Sequence, residues 1–348
     1  MKNVKALSLF SGGLDSILAT RLVMAQGIDV LAVQFVTPFF NYDVLSDVEA
    51  HKTLMLEKYG ISVRVEDISE GYLKLLHNPD HGFGKNFNPC IDCKIMMFRR
   101  AKELLKECGA SFLISGEVIG QRPMSQRRDT MNVIERDSET RSLLLRPLCA
   151  QLMKETEPEL QGLVDRSKLM KMSGRGRSAQ IALAKEYGIS DYPTPAGGCV
   201  LADPILSRRI KQLYADQSIL QAAQVSVLDV RALLVGRQLL LPGGGWLILG
   251  RDEQDNERIE ALASPEDAIL RMEDWPGPTA LLKKIDQYSS ESDKKRDLNI
   301  AASLVVRYGR KLPDGATTRE VTCKVAGEQN VLNASPMEQE EFKDWVLQ

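Results

Sequence analysis

Short apolar runs alternate, over the first 115 residues, with stretches whose apolar positions recur every three or four residues. Ala6, Leu7, Leu9 and Phe10 close a run that reads as a buried strand. Leu14, Ile17, Leu18, Leu22 and Val23 follow at helical spacing. Residues 28–36 read as a second strand, 45–59 as a helix, 62–65 as a third strand, 94–108 as an amphipathic helix and 112–115 as a fourth strand. Such alternation predicts an α/β, Rossmann-like domain with a mostly parallel sheet and helices on both faces. From about Val225 the texture changes. Residues 227–241 read as β-rich, 242–245 as a turn and 246–249 as a returning strand, with a polar break at 289–295. The pattern predicts a smaller α+β domain, with bounds of 1–212 and 225–348 for the two.

Composition narrows the function classes. A chain of 348 residues with net charge −2 has no global basic character, so any nucleic-acid contact must come from local patches. No stretch of about 18 apolar residues is present, and the chain opens on a strand rather than a signal peptide. A cytoplasmic protein with no membrane partner is expected. Six cysteines in a reducing compartment read as metal ligands or reactive thiols where they cluster, not as a disulfide framework.

The turn Ser11-Gly12-Gly13-Leu14-Asp15-Ser16 joins the first strand to the first helix. Backbone N–H groups and the positive end of a helix dipole meet there, which makes an anion site. Ser11 and Ser16 add hydroxyls, and Asp15 can orient a metal or a loop amide. No Lys follows in the Walker frame. Ligands in such sheets sit at the carboxyl ends of the strands, where this turn, the segment after Phe35 and the segment from Gly116 through Gln121 and Arg122 converge.

A CxxC, Cys90-Ile91-Asp92-Cys93, stands immediately before the helix that opens at Lys94. The helix dipole and Lys94 should lower its thiol pKa values. Cys199 ends a glycine-rich stretch, residues 195–199, while Cys108, Cys149 and Cys323 read as structural. Zinc would need a fourth ligand, for which His77 and His81 are near in sequence. Three cysteines also suit an iron–sulfur cluster with one iron open, or a persulfide site. Arg122, Arg127 and Arg128 form one basic group, and Arg166, Lys168, Lys171, Arg175 and Arg177 a denser one. Either can neutralise phosphates or simply be a solvated face.

The S-G-G-x-D-S turn resembles the PP-loop of the ATP pyrophosphatase family, whose members cleave ATP between the α- and β-phosphates. Residues 84–94, 116–126, 174–177 and 192–203 together look like the PP-loop tRNA sulfurtransferases, nearest the branch related to tRNA 4-thiouridine synthetase (ThiI). The resemblance covers about the first 205 residues. It implies Ser11, Gly12, Gly13, Asp15, Ser16, Phe35, Gly116 and Gln121 at ATP and Mg²⁺, and a [4Fe–4S] cluster on Cys90, Cys93 and Cys199. Asp15, Arg122 and the three cysteines would then serve the reaction. The chain departs from the full-length family in showing no THUMP region ahead of Ser11 and no rhodanese-like domain. Leu249-Gly250-Arg251-Asp252, Asp274-Trp275-Pro276-Gly277-Pro278 and Ala301-Ala302-Ser303 resemble the NFACT-R (DUF814) RNA-binding domain. Arg251 and Trp275 would be its guanidinium and aromatic pair, unless Trp275 anchors a core and Arg251 pairs with Asp252 or Asp255.

The implied reaction is ATP-dependent tRNA thiolation, with 4-thiouridine as product. A uridine oxygen attacks the α-phosphate, and sulfur arrives from the open iron or from a persulfide on Cys199 that Cys90 or Cys93 resolves. The rivals are 2-thiolation of a tRNA uridine, a PP-loop ligase or amidotransferase, and a non-catalytic RNA-binding factor. Expected partners are tRNA, a sulfur donor (sulfide or a cysteine desulfurase) and a second copy of the chain.

Overall fold

The computed structural model describes residues 4–194, 199–215, 225–311 and 316–347. They divide into two compact units, Met1–Ala202 and Asp203–Gln348. Among the described residues no helix is long and apolar enough to cross a membrane.

The first unit runs β1 (Lys5–Leu9), α1 (Leu14–Met24), β2 (Asp29–Val36), α2 (Val48–Tyr59), β3 (Ser62–Asp67), α3 (Ser69–His77), α4 (Cys90–Cys108), β4 (Phe112–Ser115), α5 (Arg128–Asp137), β5 (Leu144–Leu145), α6 (Glu157–Leu160) and α7 (Ser178–Glu186). The strands form one sheet in the order β3-β2-β1-β4-β5, with every pairing parallel. Strand alternation splits the core into two layers. Ala6 and Val30 face the cluster built on Ile17, Leu18 and Phe112. Leu7 and Val33 face the opposite cluster with Ile95, Phe98 and Leu105 of α4.

The order reverses between β1 and β4, which register Leu9 against Ser115. At such a switch point the loops leaving the two strands diverge and open a crevice. Here those loops begin at Phe10 and Gly116.

The second unit opens with α8 (Pro204–Ala215) and α9 (Val227–Leu233). It continues through β6 (Arg237–Leu240), β7 (Trp246–Leu249), α10 (Glu253–Ala261), β8 (Ala268–Arg271), β9 (Ala280–Leu282), α11 (Glu291–Tyr308), β10 (Arg319–Val325), β11 (Glu328–Ala334) and α12 (Gln339–Phe342). Its six strands form a sheet in the order β11-β10-β8-β9-β7-β6, antiparallel throughout. Ala301, Ala302, Leu304 and Val305 of α11 pack with its core.

Two expectations about elements are corrected. Residues 227–233 are helical, not β: Ser226 Oγ accepts from Asp229 N at 3.2 Å while Asp229 Oδ2 accepts from Ser226 N at 2.9 Å. That reciprocal cap nucleates a helix despite the β-branched valines. The CxxC does not precede a helix but forms the first turn of α4, which starts at Cys90. Pro89 stands at its N-cap, where a fixed φ and a missing N–H cost nothing.

Candidate active site

The turn after β1 is held by its own hydroxyls. Ser16 Oγ donates to Gly13 O at 2.8 Å and accepts from Ser11 Oγ at 3.3 Å, while Gly13 N donates to Ser11 Oγ at 3.4 Å. Gly12 has φ +74°, a left-handed conformation that disfavours any side chain, and a Cβ built there would meet nothing within 4 Å. Gly13 caps α1 without a side-chain hydrogen bond, so no cap side chain satisfies the first N–H groups of the helix.

Gly116 brings β4 against this turn, since a Cβ there would stand 2.6 Å from Asp15 O and 2.7 Å from Ser16 N. Beyond it, Gln121 Nε2 donates to Asp15 Oδ2 at 2.7 Å, and Arg177 Nη2 reaches the same oxygen at 3.2 Å. Gln180 Nε2 donates to Gln121 Oε1 at 3.3 Å. Three atoms of this cluster are buried without a partner: Asp15 Oδ1, Arg177 Nε and Gln180 Oε1. A buried carboxylate oxygen without a partner beside the turn is the hard oxygen donor a divalent cation takes. Phe35 is buried in the core, and its carbonyl accepts from Asn41 Nδ2 at 3.3 Å, so it offers backbone rather than a ring to a ligand.

The charges of three thiols reach one buried hydroxyl. Tyr72, buried on α3 against Phe39 and Phe40, feels the charges of Cys93, Cys199 and Cys90 and hydrogen-bonds Cys93. Burial pushes the Cys93 thiol up to about 12, outweighing the pull of Tyr72 and Lys94. The expected fall in its pKa is therefore corrected. The physical reason is burial, to which the neighbouring Cys199 and Cys90 add, while the Lys94 ammonium that pulls the other way is itself paired with Glu117. Against the cost of burial, Lys94 and Arg146 hold the Glu117 carboxyl down to about 2. Burial likewise pushes Cys199 up to about 11, opposed by the charge of Arg122, whose own side chain is exposed. The charge of Arg122 thus reaches Cys199, while its chain neighbour Gln121 holds Asp15.

All six cysteines are free thiols. Among the described residues, no three His, Cys, Asp or Glu side chains are arranged to close on a single metal ion. A [4Fe–4S] cluster spreads its thiolates over separate irons, and three soft sulfur donors grouped around a buried wall fit it better than zinc. Residues 195–198, which precede Cys199, lie outside the described residues. His81 is committed elsewhere, with Nδ1 2.9 Å from Asp92 Oδ1 and Nε2 3.1 Å from Asp137 Oδ2. Cys149 is buried, its thiol raised to about 11 chiefly by burial, and its Sγ donates to Glu117 O at 3.3 Å, consistent with a structural role.

The basic groups divide. Arg166 is tied down by Glu159 and by the carbonyls of Ala150 and Met153 at 2.9 and 2.8 Å, and Arg127 pairs with Asp129 at 2.8 Å. Arg177 leaves the surface patch for Asp15. In the second unit Arg251 pairs with Asp255 at 2.6 Å, and the cation over Trp275 is Arg319, 4.4 Å from the ring centre. Arg177, Gln180 and Tyr72 were not assigned to the site from sequence. Their signal was weak, because each acts on residues distant in sequence, Arg177 across 162 positions and Gln180 across 59, or, as with Tyr72, from the middle of a helix.

Residues 2–157 match the family model described as thiamine biosynthesis protein (ThiI), and residues 236–346 match that described as NFACT protein RNA binding domain. A protein of Thermococcus kodakarensis named "Probable tRNA sulfurtransferase" is 30% identical over 141 residues, covering 39% of this chain and 35% of its own length. The chain thus spans about a third of the length of the curated relatives it matches. A 4-thiouridine synthetase solved with RNA and bound ATP aligns at 25% identity and a TM-score of 0.38 over 53% of this chain and 41% of that one. The U34-tRNA thiolase NcsA of Methanococcus maripaludis, solved with its [4Fe–4S] cluster, aligns at 19% identity and a TM-score of 0.33 over 57% and 61%.

Proposed function

We propose that this chain, which joins a ThiI-family domain to an NFACT-type RNA-binding domain, is an ATP-dependent tRNA sulfurtransferase that makes 4-thiouridine. The observation that carries this reading is the adjacency of Gln121 and Arg122. One holds Asp15 of the turn after β1, and the charge of the other reaches Cys199. That would bring nucleotide chemistry and sulfur chemistry to one loop.

A uridine carbonyl oxygen is a poor leaving group, so it must first be activated. In the proposed reaction that oxygen attacks the α-phosphorus of ATP, the bond to the bridging oxygen breaks, and pyrophosphate leaves toward Ser11–Ser16. N–H groups at the start of α1 and the Arg177 and Arg122 cations would stabilise the charge as it develops. The open Asp15 Oδ1 would hold Mg²⁺, with Gln121 and Arg177 fixing its carboxylate. A sulfur nucleophile then attacks the ring carbon, and the carbon–oxygen bond to AMP breaks.

Cys90, Cys93 and Cys199 would hold a [4Fe–4S] cluster, which when bound supplies an open iron at which sulfide is carried. Tyr72 and the apolar wall behind it would keep water from that sulfur. tRNA would be gripped by the second unit, with sulfide or a cysteine desulfurase as donor.

Mass spectrometry of tRNA nucleosides, with and without the gene, tests the reading. Selective loss of 4-thiouridine is expected. Loss of a 2-thiolated uridine instead would move the target, and unchanged thionucleosides would overturn the assignment. Iron content separates the sulfur routes, because a fully active iron-free preparation would exclude the cluster. Cys199→Ser should abolish thiolation by either route.

A further inference from the structure

The segment before the CxxC carries an asparagine that neither the motif nor the reaction has used. Asn88 is 8% exposed, two residues ahead of Cys90. Its Nδ2 donates to Cys90 Sγ at 3.2 Å and lies 3.3 Å from Met124 Sδ. The carboxamide is not free to turn over. Its Oδ1 accepts from Asn86 N at 3.2 Å, so the NH₂ end is the one that faces the two sulfurs. The backbone is pinned as well, with Gly84 N donating to Asn88 O at 3.0 Å.

Gly84 shows how tightly this corner is closed. A Cβ there would stand 2.5 Å from Met124 Sδ and 2.7 Å from the Asn88 amide nitrogen. Met124 belongs to the loop after β4, closed by Gly120 N to Gln126 O at 2.7 Å, and Gln121 of that loop holds Asp15. One carboxamide therefore bridges the first thiol and the loop that serves the phosphate turn.

We propose that Asn88 is a positioning residue of the thiol site, its carboxamide N–H holding the Cys90 sulfur in place and stabilising the negative charge that sulfur carries when it works. A fixed N–H donor holds the Cys90 sulfur in one orientation and becomes a charge-assisted hydrogen bond once that sulfur binds iron or attacks an electrophile. The same donor aimed at a cluster ligand raises the reduction potential of the cluster. The inference deepens the sulfurtransferase reading but does not depend on which sulfur route is used.

The test uses the full chain without iron, so its failure is distinct from failure of the proposed function. Iodoacetamide labelling at neutral pH is followed by fragment mass spectrometry that resolves Cys90 from Cys93. Asn88→Ala removes the donor and also widens access to the thiol, so the two roles predict opposite signs. Labelling of Cys90 is expected to slow severalfold, and Asn88→Ser, which keeps a donor, to recover part of the rate. Labelling that is unchanged or faster in Asn88→Ala overturns the proposal and leaves Asn88 as packing. If Asn88→Ala does not melt cooperatively, the isosteric Asn88→Asp replaces it at high salt, which screens the new carboxylate, and the same two outcomes decide. With iron loaded, Asn88→Ala should also shift the cluster potential to more negative values, and an unchanged potential would count against the proposal.

Discussion

Arg177 illustrates what one side chain adds to a motif. It stands at the start of α7, 162 positions from Asp15, yet its Nη2 lies 3.2 Å from that carboxylate while its Nε is buried without a partner. A guanidinium half-committed in this way has a donor to spare for a phosphate oxygen. Arg177→Ala should therefore lower the rate of pyrophosphate release by roughly 100- to 1000-fold, the scale of losing one charge-stabilising donor. Arg177→Lys should recover part of it, since charge returns without the planar fork. A steady-state pyrophosphate assay checks this, and a rate equal to wild type would confine Arg177 to a structural role. The turn Ser11–Ser16 was legible because six consecutive residues carry its chemistry. Arg177 sat in a visible basic run, but sequence offers no way to tell a cation that folds inward from one that stays in solvent. Asn88 lies in the stretch 84–94 that carries the resemblance, although nothing local reveals that its amide faces a sulfur.

At the scale of elements, the alternating pattern of the first unit was read from periodicity, since parallel strands buried on both faces leave short continuous apolar runs. The start of α4 was misplaced because Pro89-Cys90-Ile91-Asp92 has no N-cap side chain to announce a helix. What fixes that first turn is tertiary. His81 N donates to Asp92 Oδ2 at 3.0 Å, and the imidazole lies between Asp92 and Asp137, so the loop after α3 clamps α4 to the end of α5. Arg136 also pairs with Asp137 at 2.5 Å, and Arg99 donates to the Asp137 carbonyl at 2.7 Å. The hydrogen bond to Asp92, aided by Asp137, raises the His81 pKa above 6.5. A raised imidazole pKa contributes stability that is whole below the unfolded value and is lost as pH climbs through the folded one. Melting temperature should thus fall as pH rises from about 6 to 9, and His81→Gln should flatten that fall. Parallel melting curves for the two proteins would argue against the clamp.

For the whole molecule the question is how the proposed RNA binding would be achieved by a chain of net charge −2. Affinity without a broad cationic field must rest on few phosphate contacts and on stacking, so its dependence on salt should be shallow. Trp275, which packs partly against the core of the second unit, is the aromatic proposed for stacking. It is half-exposed, its Nε1 donates to Arg310 O at 2.9 Å, and the Arg319 guanidinium covers one face. A ring locked by its edge loses little freedom when a base joins it. Trp275→Leu keeps apolar bulk but removes the platform, and it should raise the KM for tRNA by roughly 5- to 100-fold, the range for losing one stacked base. Affinity for ATP should stay at the wild-type value, because the nucleotide chemistry lies in the other unit. Arg177→Ala should do the reverse, slowing pyrophosphate release while tRNA affinity holds. Filter binding of tRNA, beside the pyrophosphate assay on both variants, reads the two effects separately. An unchanged tRNA affinity in Trp275→Leu would move the gripping surface away from this ring and leave the second unit without its assigned role.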